Sequence, residues 1–253
     1  MRVVTNEKFI ARNARLGRYA SVASIIILGA GVYLTFARPD LVSLTFVLLI
    51  GGFILSQVGI YFGNRWAKPP RLDIQITKAL KGLGRDYTLY HYATPASHLL
   101  VGPGGVFVIV PRFQRGTISY RKGKWRQRGG LMLWYWRIFA QEGIGRPDLE
   151  IGAEVEAVDR ALRKQLPDED YEALQPIKPI LVFTNPAAVL QEEVAEAPVP
   201  TVKIEDLKAA VKRLARGTRL TGEQLKRVRA VFAPPEEAAS KGKAAQKGEK
   251  EEV

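Results

Sequence analysis

Cysteine is absent from this chain of 253 residues. That excludes disulfides, thiolate nucleophiles and cysteine-ligated zinc. Histidine is scarce, with only His91 and His98, so a histidine-rich metal site is not expected either. Acidic residues are missing from one long window: Tyr87 to Gln141 holds no aspartate or glutamate. Charge of both signs is missing from two further runs, Tyr19–Ala37 and Leu41–Phe62. What remains is strongly basic. Lysine and arginine number 38 against 25 acids, a net charge of +13, with an isoelectric point near 10.0. Such a balance favours anionic partners, either nucleic acid or an acidic lipid surface.

The two uncharged runs approach the roughly 20 residues that a helix needs to cross the hydrocarbon layer. Only Arg38-Pro39-Asp40 separates them, enough for a tight turn, so they are expected to form a transmembrane helical hairpin with both ends on one side. Arg2, Lys8, Arg12, Arg15 and Arg18 precede the first span, and Arg65, Lys68 and Arg71 follow the second. The positive-inside rule then places both termini in the cytoplasm of a multi-pass inner (plasma) membrane protein. Trp66 sits where an interfacial anchor belongs. A cleaved signal peptide ending at Thr35-x-Ala37 is the alternative, weakened by the full second span that follows directly.

The expected organisation is a basic cytoplasmic N-terminus (1–18), two spans (19–37 and 41–62), a stiff linker (63–70), an α/β domain (71–215), a short helix (216–232) and a disordered charged tail (233–253). Within the domain, Leu72, Ile76, Ala79, Leu80 and Leu83 follow helical spacing, closed by Gly82 and Gly84. Tyr87–Tyr92, Ser97–Val101 and Gly105–Val110 read as strands, the last two joined by Gly102-Pro103-Gly104 as a type II turn. Gly116–Arg121 and Lys124–Arg128 read as an exposed hairpin around Gly123. Ile151, Val155, Val158, Leu162 and Leu166 form one apolar helix face, with Glu154, Glu156 and Asp159 expected to face out. Ile180–Thr184 and Val202–Ile204 read as further strands and Glu205–Leu214 as a helix. Thr221 and Gln224 offer a capping box. The order predicts an α/β sandwich with a mixed central sheet.

This order, with His98-Leu99-Leu100-Val101-Gly102-Pro103-Gly104-Gly105-Val106-Phe107-Val108-Ile109-Val110 at its centre, resembles the nuclease-related domain (NERD), which is similar to the restriction-endonuclease-like nucleases. The resemblance spans roughly Arg71 to Leu214 and implies a restriction-endonuclease-like fold. The family carries an acid on the first helix, matched by Asp73. It has an aspartate before the apolar strand, where this chain has His98. A glutamate, a spacer and a lysine end the next strand; Val110, Pro111 and Arg112 stand there. Gly116 matches a following glycine. The family's Asn-Pro-x-x-Gln appears as Arg146-Pro147-Asp148-Leu149-Glu150, and Val182-Phe183-Thr184-Asn185 fits the pattern of the later strand.

In such nucleases the aspartate and glutamate hold Mg²⁺, which activates water, and the lysine assists. Magnesium takes oxygen ligands; Val110 offers no ligand side chain, and His98 offers nitrogen, which suits softer metals. The expectation is therefore a degenerate nuclease without a resident cofactor or metal. A second reading is an active Mg²⁺-dependent nuclease with ligands displaced to Asp73, His98 and Glu150. The acid-free window also gathers Arg112, Arg115, Arg121, Lys122, Lys124, Trp125, Arg126, Arg128 and Arg137, with Trp134, Tyr135 and Trp136. Such a face suits phosphates and unpaired bases, and equally suits anionic lipid. The leading expectation is a membrane-anchored, non-cleaving module that binds nucleic acid or a protein partner. A basic scaffold on anionic lipid is the third reading.

Overall fold

The structure is a computed structural model and describes residues 1–67, 69–130 and 143–233. Arg137, the apolar stretch from Leu131 to Trp136 and the tail beyond Ala233 lie outside the described residues.

Strand β1 (Arg2–Thr5) opens the chain. Helix α1 (Glu7–Ala37) follows, capped by the Asn6 side chain, which accepts the Phe9 amide at 3.0 Å. The basic N-terminus is thus not a separate tail: four residues are a strand, and α1 begins twelve residues before the apolar run does. Residues Pro39–Leu41 make one 3₁₀ turn into α2 (Val42–Phe62). By length and composition both helices could cross a membrane: an 18-residue stretch of α1 has a mean hydropathy of 2.0, and one in the helical segment that includes α2 has 2.2. Their outward faces carry Ile25, Ile26, Tyr33, Phe36, Phe46 and Val47, all exposed. Small residues line the seam between them. A Cβ on Gly52 would stand 2.8 Å from Leu28, and one on Gly59 would stand 2.9 Å from the Ser21 backbone nitrogen. Such positions let two helix backbones approach closely. The stretch expected as a linker continues from α2 as a π-helical turn, Gly63–Ala67, that buries Trp66.

The α/β domain then runs through α3 (Leu72–Ala79), β2 (Thr88–His91), β3 (His98–Gly102), β4 (Gly105–Arg112), β5 (Gly116–Arg121), β6 (Lys124–Arg128), α4 (Pro147–Gln165), α5 (Asp168–Leu174), β7 (Lys178–Phe183), β8 (Ala188–Leu190), β9 (Thr201–Lys203), α6 (Leu207–Leu214) and α7 (Gly222–Val231). Six strands make a mixed sheet in the order β1-β2-β3-β4-β7-β9, and β6-β5-β8 make a second. In the main sheet β1 is parallel to β2, β2-β3-β4 is an antiparallel meander, and β4, β7 and β9 are parallel. Strands β1 and β8 and helix α5 have no counterpart in the sequence reading.

Period-two alternation divides the side chains between two layers. Leu89, Leu100, Phe107, Ile109, Ile180 and Val182 pack with Ile76 of α3, with Leu80 just past its end, and with Leu207 and Val211 of α6. Their neighbours Leu99, Val101, Val106, Val108, Leu181 and Phe183 pack with Ile151, Val158 and Leu162 of α4 and Val228 of α7. Each fully buried Leu or Phe stabilises the fold by roughly 1.5–3 kcal/mol. The result is helix, mixed sheet, helix, as the sequence pattern predicts. The Thr221–Gln224 capping box forms at the start of α7.

Two local expectations are corrected. A type II turn needs positive φ at its third residue, but the positive φ falls on Gly105 (108°) and not on Gly104. The tight β3–β4 turn passes its left-handed residue one place further on, into the first residue of β4. Second, Glu154 does not face out. Its carboxylate accepts the Ser97 hydroxyl at 2.8 Å and the Ser97 amide at 3.2 Å. The first turns of α4 overhang the open end of the sheet, so a position flanking the apolar stripe meets the β2–β3 loop instead of water.

Candidate functional site

The β2–β3 hairpin closes between Tyr92 and Ser97, where the Tyr92 amide donates to the Ser97 carbonyl at 2.8 Å. That register sets His91 directly opposite His98. Residues facing each other across an antiparallel pair project to the same side, and the two imidazoles meet at 2.7 Å between Nδ1 atoms. His91 Nε2 lies 2.9 Å from Thr77 Oγ1 on α3. Burial pushes the His91 imidazole down to about 4, with the Asp73 charge partly opposing and that of Arg71 adding to the effect. Burial likewise holds His98 well below its ordinary value, helped by His91 and Arg65.

Two neutral rings facing through Nδ1 share one proton there, which leaves two arrangements. If His91 donates to His98, then His91 Nε2 accepts from Thr77 and His98 carries its proton on Nε2. If His98 donates, His91 Nε2 donates to Thr77 and His98 Nε2 is a bare acceptor. Either way that Nε2 is buried without a hydrogen-bond partner among the described residues.

His98 lines a cleft of about 220 Å³, in which Val110, Arg112, Glu150 and Glu154 also lie, with Tyr61, Asn64 and Arg65 closing it from the end of α2. Four of the five positions singled out in the sequence, His98, Val110, Arg112 and Glu150, therefore converge. Asp73 does not join them. It lines a different hollow with Met1, Val3, Thr5 and Thr77, and its carboxylate is held by Arg71 at 2.6 and 3.1 Å. Arg112 is ion-paired with Glu150, while its Nε and the Gln114 Oε1 in the same cleft have no partner among the described residues. Burial raises the Glu154 carboxyl above the usual range; the two Ser97 hydrogen bonds oppose this, Glu150 reinforces it and Arg65 opposes it. Tyr92 packs edge-on against His98 with ring centroids 4.9 Å apart, and burial pushes its phenol up to about 12. Its φ of 55° is unusual for a residue with a side chain. Such strain of order 1–3 kcal/mol concentrates at functional sites.

The donor set does not suit Mg²⁺. Val110 offers no side-chain oxygen, Glu150 is neutralised by Arg112, Glu154 is engaged by Ser97, and the histidine is a nitrogen donor. Among the described residues no group of three or more His, Asp or Glu is placed to hold a metal ion.

The basic face is only partly free. In β6, Lys124, Arg126 and Arg128 are exposed while Trp125 and Gln127 turn inward, the alternation expected. Trp125 packs against the core and edge-on to Tyr120, centroids 5.2 Å apart, so it is no stacking platform for bases. Arg121 is ion-paired with Glu193, and Arg115 is engaged as well. Lys122 and Gly123, with φ of 51° and 70°, form the left-handed tip of the β5–β6 hairpin. The exposed cations of this hairpin are therefore Lys122, Lys124, Arg126 and Arg128 beside the paired Arg121.

Sequence reasoning missed His91, Ser97, Glu154, Tyr92 and the α2-end residues Tyr61, Asn64 and Arg65. The four-residue spacing of Glu150 and Glu154 was a usable signal, since it puts both carboxylates on one helix face. No protein-family model matches the chain, and no curated protein or solved structure matches it.

Proposed function

We propose that the chain is a membrane-anchored binding module built on a restriction-endonuclease-like scaffold that does not cleave nucleic acid. Helices α1 and α2 cross the bilayer as a hairpin, the α/β domain lies on the cytoplasmic side, and the β5–β6 hairpin holds nucleic acid through its phosphates. The observation that carries the loss of cleavage is the occupancy of the family positions. Valine stands for the metal-binding glutamate, Arg112 is paired with Glu150, and Asp73 is drawn away by Arg71. Supporting the anchor, the outer faces of α1 and α2 are apolar and exposed, an unfavourable arrangement in water. The pairing of β1 with β2 also puts the residues before and after the two helices in one sheet.

The test uses the full-length chain in detergent micelles or lipid nanodiscs, with single- and double-stranded DNA and RNA. Binding through four phosphate contacts should fall with salt at a slope of roughly −3 to −4, about a hundredfold between 50 and 200 mM. Replacing Lys122, Lys124, Arg126 and Arg128 together by Gln should abolish it. Binding to anionic vesicles but not to nucleic acid would overturn this assignment in favour of a lipid surface. Cleavage that requires Mg²⁺ or Mn²⁺ and disappears in His98→Ala would overturn the non-cleaving reading. The reading of an active enzyme with ligands displaced to Asp73, His98 and Glu150 has one observation in its favour, the shared cleft of His98 and Glu150. Asp73 lies in another hollow, so the reading needs Glu154 in its place and requires Glu154→Gln to abolish cleavage.

A further inference from the structure

We propose that the cleft between the end of α2 and the open end of the β3–β4 pair is a receptor site for the headgroup of phosphatidylethanolamine, a lipid with one phosphate and one primary ammonium. The inference rests on the reading that α1 and α2 cross a bilayer.

Position comes first. Tyr61 is the penultimate residue of α2, and Asn64 and Arg65 lie on the π-helical turn that follows it. All three line the cleft. A cleft walled by the last turn of an apolar helix and the first polar turn beyond it opens at the depth where a bilayer places its headgroups. Trp66, beside Arg65 and buried against Phe9, Tyr61 and Phe62, holds that turn in place.

Chemistry decides the class of ligand. The cleft carries both signs: the Arg65 and Arg112 guanidinium groups, and the Glu150 and Glu154 carboxylates. Arg65 is close enough for its charge to act on Tyr92, His98 and Glu154. Arg112 and Glu150 are paired with each other, which leaves Arg65 and Glu154 as the opposed charges. A purely anionic ligand would meet the Glu154 carboxylate, and a purely cationic one the Arg65 guanidinium. A zwitterion satisfies both, its phosphate towards Arg65 and the Nε of Arg112 and its ammonium towards Glu154. Three residues that line the cleft carry a buried polar atom without a partner among the described residues: His98 Nε2, Arg112 Nε and Gln114 Oε1. His98 is completely buried, and an unpaired polar atom in such a place costs about 1–3 kcal/mol. Gln114 Oε1 and the acceptor form of His98 suit an ammonium, which has three donors, while Arg112 Nε suits a phosphate oxygen. A quaternary choline ammonium donates no hydrogen bond and would leave the acceptors unmet. The volume of about 220 Å³ admits one small polar headgroup.

The experiment uses the full-length chain, delipidated in detergent and offered an equimolar mixture of phosphatidylethanolamine, phosphatidylcholine and phosphatidylglycerol. Retained lipid is read by native mass spectrometry. The wild type should retain one phosphatidylethanolamine with at least tenfold preference over the other two. Glu154→Gln and Arg65→Gln should each reduce that preference to near parity, and Arg65→Lys should keep part of it. Soluble phosphoethanolamine, but not inorganic phosphate, should displace the bound lipid from the wild type, a readout that needs no variant. Equal retention of phosphatidylglycerol, displacement by phosphate alone, or wild-type retention without preference would overturn the proposal. Extraction of the chain from membranes by alkaline carbonate would instead overturn the membrane reading beneath it.

Discussion

His91 and His98 face each other through Nδ1 atoms and share a single proton, a pair whose worth depends on both members being present. Removing one ring strands the other nitrogen in a buried site, whereas removing both removes the demand. His91→Leu and His98→Leu should each destabilise the domain by about 1–3 kcal/mol, and the double variant by less than the sum, with a coupling of at least about 0.5 kcal/mol. Additive losses in thermal unfolding would refute the shared proton. The pair also sets a pH dependence. Folded His91 titrates near 4 and His98 well below 6.5, while both bind protons near 6.5 once unfolded. Between these limits the unfolded chain holds more protons, so stability falls as pH falls from about 6.5 towards 4. Glu154 works in the opposite sense. Its folded carboxyl keeps a proton above the ordinary 4.5, so its contribution declines as pH rises through the window above that value. The midpoint of unfolding should drop by several degrees from pH 7 to pH 5, and the double leucine variant should flatten that drop. Of these groups only His98 was singled out in the sequence, as the polar residue at the head of the apolar strand before the Gly102–Gly104 turn. His91 becomes its partner by virtue of the hairpin register, which depends on where the loop closes between Tyr92 and Ser97. Glu154 was hidden because a helix pattern assigns faces without saying that the helix overhangs the end of a sheet.

Strands and helices with strong periodicity were readable at the scale of elements: the alternating residues of β3 and β4, the apolar stripe of α4 and the box at Thr221 all form as their patterns dictate. Strand β1 was not. Four residues with an arginine at their head carry no period, and their pairing with β2 joins positions more than eighty residues apart in the chain. Yet β1 covers the outer edge of β2, which would otherwise present unpaired backbone groups. The Arg2 and Asn6 amides donate to the Tyr87 and His91 carbonyls at 2.8 and 3.0 Å. The two-residue repeat of the ladder therefore turns the Val4 amide towards β2 as well. Val4→Pro removes that donor and should free β1. Hydrogen exchange would then rise at Thr88–His91 in the full-length variant, and unchanged protection there would show that β1 contributes nothing. The membrane-type helices pose the complementary case. Gly59 lies against Ser21, where an added Cβ would meet the Ser21 backbone nitrogen at 2.9 Å. A backbone cannot yield as a side-chain tip can. Gly59→Leu should part α1 from α2 and lower the thermal stability of the detergent-solubilised chain, whereas Gly51→Leu, with nothing within 4 Å, should leave it unchanged.

Across the whole molecule, one sheet contains chain from both sides of the apolar hairpin. Strand β1 precedes α1, β2 follows α2, and the two are hydrogen-bonded neighbours. A chain that crosses a bilayer between two adjacent strands of one sheet must cross it an even number of times, whatever its charges. This constraint is independent of the arginines and lysines that flank the helices, yet agrees with the orientation they predict. It also accounts for the length of α1. At 1.5 Å per residue its 31 residues reach about 46 Å, well beyond a hydrocarbon layer of about 30 Å. In a membrane-spanning arrangement the surplus would be the segment from Glu7 to Arg18, which joins the apolar run to β1 and carries Lys8, Arg12, Arg15 and Arg18. Pro39–Leu41, the 3₁₀ turn at the far end, is then the sole described segment expected across the membrane from the domain. The absence of cysteine makes this directly measurable, because any thiol introduced is the one thiol present. Asp40→Cys should react with a membrane-impermeant maleimide added to intact cells. Arg2→Cys and Arg126→Cys should react only after permeabilisation, and both to the same extent. Labelling of Arg2→Cys from outside while Arg126→Cys stays protected would separate β1 from the sheet in the cell. Failure of Asp40→Cys to react from outside, with full reaction after permeabilisation, would keep the hairpin from spanning the bilayer.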